Sequence, residues 1–153
     1  MLKARDIMTT KVITVYPDTE ITQAASLLLK NHINGLPVVD KNGFLRGIIC
    51  QSDLITQQQK IPLPSFFVIL DAAIPINSPK HIEQEVKKMA AIKVSEAMTV
   101  DPATVDAETG LEDIATLMIK HNVHTIPVLD NGHLVGIIGK EDILRTLVPD
   151  DNK

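Results

Sequence analysis

The sequence predicts an α/β (α+β) fold assembled from two β-α-β-β-α repeats that pack together about a pseudo-twofold axis. Three observations carry that expectation. A block of residues recurs at a shift of 90 positions. Each block sets one helical apolar stripe ahead of two short aliphatic runs joined by an Asn-Gly turn. A unit of roughly 50 residues rarely buries a core of its own, so two copies sharing one solve the problem.

The recurrence is legible residue by residue. Asp6-Ile7-Met8-Thr9 returns as Glu96-Ala97-Met98-Thr99, Thr14-Val15 as Thr104-Val105, and Pro37-Val38 with Asp40 as Pro127-Val128 with Asp130. The shift then falls to 89, because Asp40-Lys41-Asn42-Gly43 is one residue longer than Asp130-Asn131-Gly132. Beyond it Gly47-Ile48-Ile49 and Asp53 match Gly136-Ile137-Ile138 and Asp142. A slip that falls in a turn is what two copies of one fold show. The repeats span 1–58 and 94–148, with 59–93 between them.

Within each copy a β-rich piece comes first, Val12 to Val15 or Ala103 to Val105. A helix follows, with apolar residues at Ile21, Ala24, Ala25, Leu28 and Leu29, and again at Leu111, Ile114, Ala115, Met118 and Ile119. Thr109 with Glu112 three residues on reads as a capping box. Strands are expected over Leu36–Val39 and Ile126–Leu129, then over Leu45–Ile49 and Leu134–Ile138. A last helix begins near Ser52 or Lys140. Gly47 and Gly136, isolated in strands, signal close backbone approach, and Met8 and Met98 read as core fillers.

Of the 153 residues, 44% are hydrophobic, enough for a core and against disorder. Aromatics are only 3%, and the net charge is −4, which together argue against a base-stacking or duplex-binding surface. The single cysteine excludes an intrachain disulfide and a cysteine-rich zinc site. Met1 to Val12 lacks the apolar stretch of a signal peptide, and the densest apolar run, Phe66 to Leu70, is too short to span a bilayer. A cytoplasmic protein is expected. Between the repeats, Pro62 to Leu70 is irregular and apolar. Ser78 and Pro79 then open a helix carrying Ile82, Val86 and Met89. Phe66 and Phe67 either pack on their own chain or cover an oligomer contact.

Taken together, Ile7-Met8-Thr9, Gly35-Leu36-Pro37-Val38-Val39-Asp40 and Gly47-Ile48-Ile49-Cys50-Gln51-Ser52-Asp53 resemble the cystathionine-β-synthase (CBS) domain family. So do their counterparts, Ala97-Met98-Thr99, His124-Thr125-Ile126-Pro127-Val128-Leu129-Asp130 and Gly136-Ile137-Ile138-Gly139-Lys140-Glu141-Asp142. The arrangement is similar to a tandem pair, a Bateman module, standing alone. The resemblance implies a regulatory, non-catalytic module. Its two clefts would take an adenosine nucleotide (AMP, ADP or ATP) or S-adenosylmethionine as a regulatory ligand, without an obligatory cofactor. It further implies a homodimer and a protein effector. One cleft would use Ile13, Thr14, Ile33, Asn34 and Pro37 with Gly139, Lys140 and Asp142. The other would use Ala103, Thr104, Val123, His124 and Pro127 with Cys50, Ser52 and Asp53.

Physical chemistry supports part of that assignment. Asp53 and Asp142 each follow an apolar strand in the first turn of an expected helix, where the dipole favours a carboxylate able to accept from a vicinal diol. The bland alternative is that both are simply helix N-terminal charges. The helix start offers N–H groups to a phosphate, and Lys140 adds a cation. The family commonly places a hydroxyl at the end of the glycine strand. Here Cys50 and Gly139 stand there, so Ser52 would have to replace it in one cleft, while Glu141 puts an anion in the other. One occupied cleft or two, or a pair of degenerate clefts serving only protein contacts, are all compatible with the sequence. His121 and His124 lose helical spacing at a helix end, so no metal site is expected. Cys50 has no histidine partner that would make it a nucleophile.

Overall fold

The computed structural model describes residues 1–58 and 92–149. The expected helix over 78–89, Phe66, Phe67 and His81 lie outside them. Among the described residues the order is α1 (Ala4–Ile7), α2 (Ile21–Asn31), β1 (Gly35–Val39), β2 (Leu45–Cys50), α3 (Gln51–Gln58), α4 (Val94–Ala97), β3 (Thr99–Val100), β4 (Val105–Asp106), α5 (Leu111–His121), β5 (Thr125–Asp130), β6 (His133–Gly139) and α6 (Lys140–Arg145).

Two three-stranded sheets result, β1-β2-β3 and β4-β5-β6. Both hairpins are antiparallel, and each carries a register shift at the same place, Val38/Val39 and Val128/Leu129. The one-residue slip in the repeat has a structural cause. Asn131 and Gly132 both take positive φ (51° and 84°), forming a two-residue turn of the mirror-image type that suits strand twist. In the first hairpin only Gly43 does (φ 85°). Its three-residue loop is held by Asp40 Oδ1, which accepts from the N–H groups of Asn42 and Phe44 at 2.9 and 3.0 Å.

The β-rich pieces ahead of the long helices are shorter than expected. Val15 makes one parallel bridge to Val38, and β4 is two residues pairing parallel with Val128 and Leu129. The capping-box expectation is corrected as well. Thr109 Oγ1 accepts from the Asp106 N–H at 3.2 Å, closing the preceding turn, and Gly110 is the N-cap. Thr19 does the same for Tyr16 in the first copy. The apolar stripe holds for Ile21, Ala24, Leu28 and Ile114, which are buried. It fails at its last position: Leu29 is 62% and Ile119 82% exposed. At 100° per residue, the i+8 position drifts off the buried face once a helix contacts its sheet along a narrow stripe.

The repeats exchange their N-terminal segments. Ala4 is fully buried in the cluster of Val105, Ile114, Ile126, Val128 and Ile138, with Ile7 and Met8 packed beside it. Val94 occupies the equivalent place against Val15, Ile21, Leu28, Leu36 and Ile49, with Met98 alongside. The hydrogen bonds are equivalent too: the Ala4 N–H donates to Thr109 O at 2.8 Å, and the Val94 N–H to Thr19 O at 2.7 Å. Thr9 bridges Ile137, and β3 pairs with β2. The approach is possible because Gly47 and Gly136 lack side chains. A Cβ at Gly47 would lie 2.6 Å from the Thr99 carbonyl, and one at Gly136 would meet the Met8 side chain. Lys3 and Arg5 clasp Glu108 of the opposite repeat at 2.7 and 2.6 Å, holding its carboxyl below the ordinary range.

Candidate functional site

Two equivalent bends bring loop residues to the junction of the repeats. His32 ends α2 in the left-handed conformation (φ 53°), and Asn122 ends α5 likewise (φ 51°). The next N–H groups, of Ile33 and Val123, donate back to Leu28 O and Met118 O at 3.1 and 3.0 Å, satisfying carbonyls at the helix ends. The chain turns sharply and delivers Ile33-Asn34 and Val123-His124 to the strands.

A cavity of about 270 Å³ opens beside the first bend. Ile13, Ile33 and Asn34 of the first repeat line it together with Gly139, Lys140 and Asp142 of the second, six of the eight residues assigned to that cleft. Thr14 and Pro37 are not among its lining residues. Pro37 is fully buried mid-strand, and its carbonyl accepts from the Val15 N–H. Pro127, its counterpart, is likewise fully buried. Thr9, Lys11, His32 and Arg145 also line the cavity and escaped the sequence reading. No local pattern links Lys11 to Arg145, since only the exchange of N-terminal segments brings the first near the second repeat.

Asp142 is the least exposed charged group there, its side chain 11% exposed. Oδ2 accepts from the Gly139 N–H at 2.8 Å, so the residue caps its own helix; Oδ1 accepts from Arg145 Nη1, also at 2.8 Å. A carboxylate has about four acceptor sites, which leaves capacity on both oxygens. Arg145 also lies 3.8 Å from Glu141. Three cations, Lys11, Lys140 and Arg145, thus face two carboxylates around one cavity.

The pseudo-equivalent aspartate is set differently. Asp53 Oδ2 accepts from the Cys50 N–H at 2.7 Å, and Oδ1 accepts from Thr99 Oγ1 at 3.2 Å. Burial, with the Asp53 charge nearby, pushes the Cys50 thiol up to about 11. Cys50 Sγ stands 3.1 Å from where a Cβ on Gly35 would be, and Thr125 comes within 3.4 Å of the same point. Ser52 and His124 are exposed, while Ala103, Thr104 and Val123 are half-buried. A shallower recess takes in Thr104 but none of the other residues assigned to the second cleft. Among the described residues no cluster of three or more His, Cys, Asp or Glu could hold a metal, and no helix is long and apolar enough to cross a membrane.

The profile of the CBS domain matches residues 4–60 and 94–149. The chain belongs to the CBS-domain family. An uncharacterized protein of Methanocaldococcus jannaschii is 32% identical over 94% of this chain and 90% of its own length. Among solved structures, CBSX2 of Arabidopsis thaliana in complex with AMP superposes with a TM-score of 0.72 at 26% identity, covering 96% of each chain. The CBS domain pair of protein MJ0100, in complex with 5′-methylthioadenosine and S-adenosylmethionine, gives 0.72 at 27% identity over 96% of this chain and all of that one. The CBS pair therefore accounts for both the repeat and the shared junction. Its two halves supply opposite walls of the cavity.

Proposed function

We propose that this CBS pair is a regulatory module that binds an adenosyl compound in the cavity between Ile13, Ile33 and Asn34 of one repeat and α6 of the other. The observation that carries the reading is the cavity itself. It is small, it sets Val12, Ile13 and Ile33 beside polar and charged side chains from both repeats, and its least exposed charged side chain is the Asp142 carboxylate, with acceptor capacity to spare for a ribose diol. Structural relatives with adenosyl ligands support the choice of ligand class. The output is conformational: a molecule that touches both repeats stabilises the arrangement in which both walls are in reach, and that bias passes to an effector protein. Leu29 and Ile119, exposed at equivalent positions on α2 and α5, support association of two copies. The module acts in the cytoplasm and has no catalytic step of its own.

Thermal unfolding against AMP, ADP, ATP, S-adenosylmethionine and 5′-methylthioadenosine tests this. A true ligand at 100 times its Kd adds about 2.7 kcal/mol, a readily measured rise in Tm. Asp142→Ala is expected to abolish the rise. No response to any of the five compounds would overturn the reading in favour of a module that serves protein contacts alone.

A further inference from the structure

The two halves are near copies in backbone, but the charges around their junctions are not copied. Lys11, Lys140 and Arg145 line the described cavity. The positions related to them by the internal repeat are Asp101, Gln51 and Thr56. Three cations on one side correspond to an anion and two neutral residues on the other. The aspartates differ accordingly. Asp142 Oδ1 holds a guanidinium at 2.8 Å, while Asp53 Oδ1 holds the hydroxyl of Thr99 at 3.2 Å.

We propose that Lys11 and Arg145 form a phosphate clamp that makes the described cavity select a phosphorylated adenosyl ligand over an uncharged one, with one such ligand per chain. The proposal rests on the adenosyl reading of the site and adds the charge class of the ligand to it. Lys11 comes from the exchanged N-terminal segment and Arg145 from the end of α6, so an anion between them touches both repeats. Arg145 spends one of its five N–H donors on Asp142 and lies 3.8 Å from Glu141, beyond hydrogen-bond reach, so its other donors remain for phosphate oxygens. The same bond ties the ribose-binding carboxylate to the phosphate-binding cation. At the related junction Asp101 replaces Lys11, and like charge disfavours an anion there.

Isothermal titration of the full chain with AMP and with adenosine decides the matter. AMP is expected to bind once per chain and at least about tenfold more tightly than adenosine, with an affinity that falls as salt rises while that of adenosine stays flat. Lys11→Gln should weaken AMP about tenfold and leave adenosine within about twofold, and Arg145→Gln should weaken AMP by at least as much. Arg145→Gln also frees Asp142, so Lys11→Gln is the cleaner of the two. Equal affinities, equal loss for both ligands, or a second AMP site of similar strength would overturn the clamp. If adenosine binds with no preference for AMP, the clamp fails and the adenosyl reading stands; if neither binds, both fail.

Discussion

Asp142 shows why one residue can serve both readings weighed from the sequence. Its carboxylate caps the helix it sits on through the Gly139 N–H, and the same geometry holds it at the cavity wall, largely shielded from water. A ligand of the proposed kind would meet a carboxylate already fixed in place by ordinary helix capping. Cys50, at the matching strand end, is set the other way, its thiol raised to about 11 from 9.0 by burial and by Asp53. At pH 8 that shift leaves roughly 100-fold less thiolate than in the unfolded chain, so iodoacetamide should modify the native protein far more slowly than urea-unfolded protein. Comparable rates would show the thiol to be exposed and unshifted. Between about pH 9 and 11 the native thiol keeps a proton that the unfolded one loses, so the contribution of this group to stability declines with rising pH over that window. The candidate aspartates were readable because they sit at fixed offsets from an apolar strand. Arg145 was not: its role depends on a 2.8 Å approach that sequence spacing alone does not imply.

The hairpins and long helices are the elements on which local sequence had most to say. Asn-Gly between aliphatic runs led to two antiparallel hairpins, and the unequal loop lengths led to two different turns, because backbone twist leaves few ways to close each length. Gly132 tests this. Its φ of 84° and a Cβ position 3.3 Å from the Phe44 ring both oppose a side chain, so Gly132→Ala should cost about 1–2 kcal/mol in urea denaturation. A neutral substitution would mean that the turn readily adopts another type. Helical periodicity located α2 and α5 but overcounted their buried faces at Leu29 and Ile119. A stripe records which residues are apolar, and the partner surface decides how many of them it covers. The short pairings of Val15, β3 and β4 were underdetermined for a related reason. A strand of one or two residues carries no period, and its hydrogen bonds depend on a neighbour distant in sequence.

At the scale of the whole molecule the decisive feature is the exchange of N-terminal segments, which makes each core a product of both repeats. Gly47 and Gly136 are where this shows most directly, and their substitutions should differ. Gly136→Ala is expected to cost about 1–3 kcal/mol in denaturant unfolding, and less in a Met8→Ala background, because the obstructing atoms belong to a side chain. Gly47→Ala should cost as much with at most partial relief from Met98→Ala, since the Met98 sulfur at 2.9 Å can be removed but the Thr99 carbonyl still stands 2.6 Å from the new Cβ. Additive double mutants at 8 and 136 would contradict the packing. The duplication, the hairpins, the long helices and the aspartates at the strand ends are legible in the chain, because each is written in a short local pattern or in that pattern's recurrence. Which repeat each N-terminal segment completes, and that Lys11, Lys140 and Arg145 share one cavity, emerge only on folding. Those facts depend on contacts between residues of different repeats, tens of positions or more apart, whose free energy of burial and charge pairing exists only once both repeats have folded together.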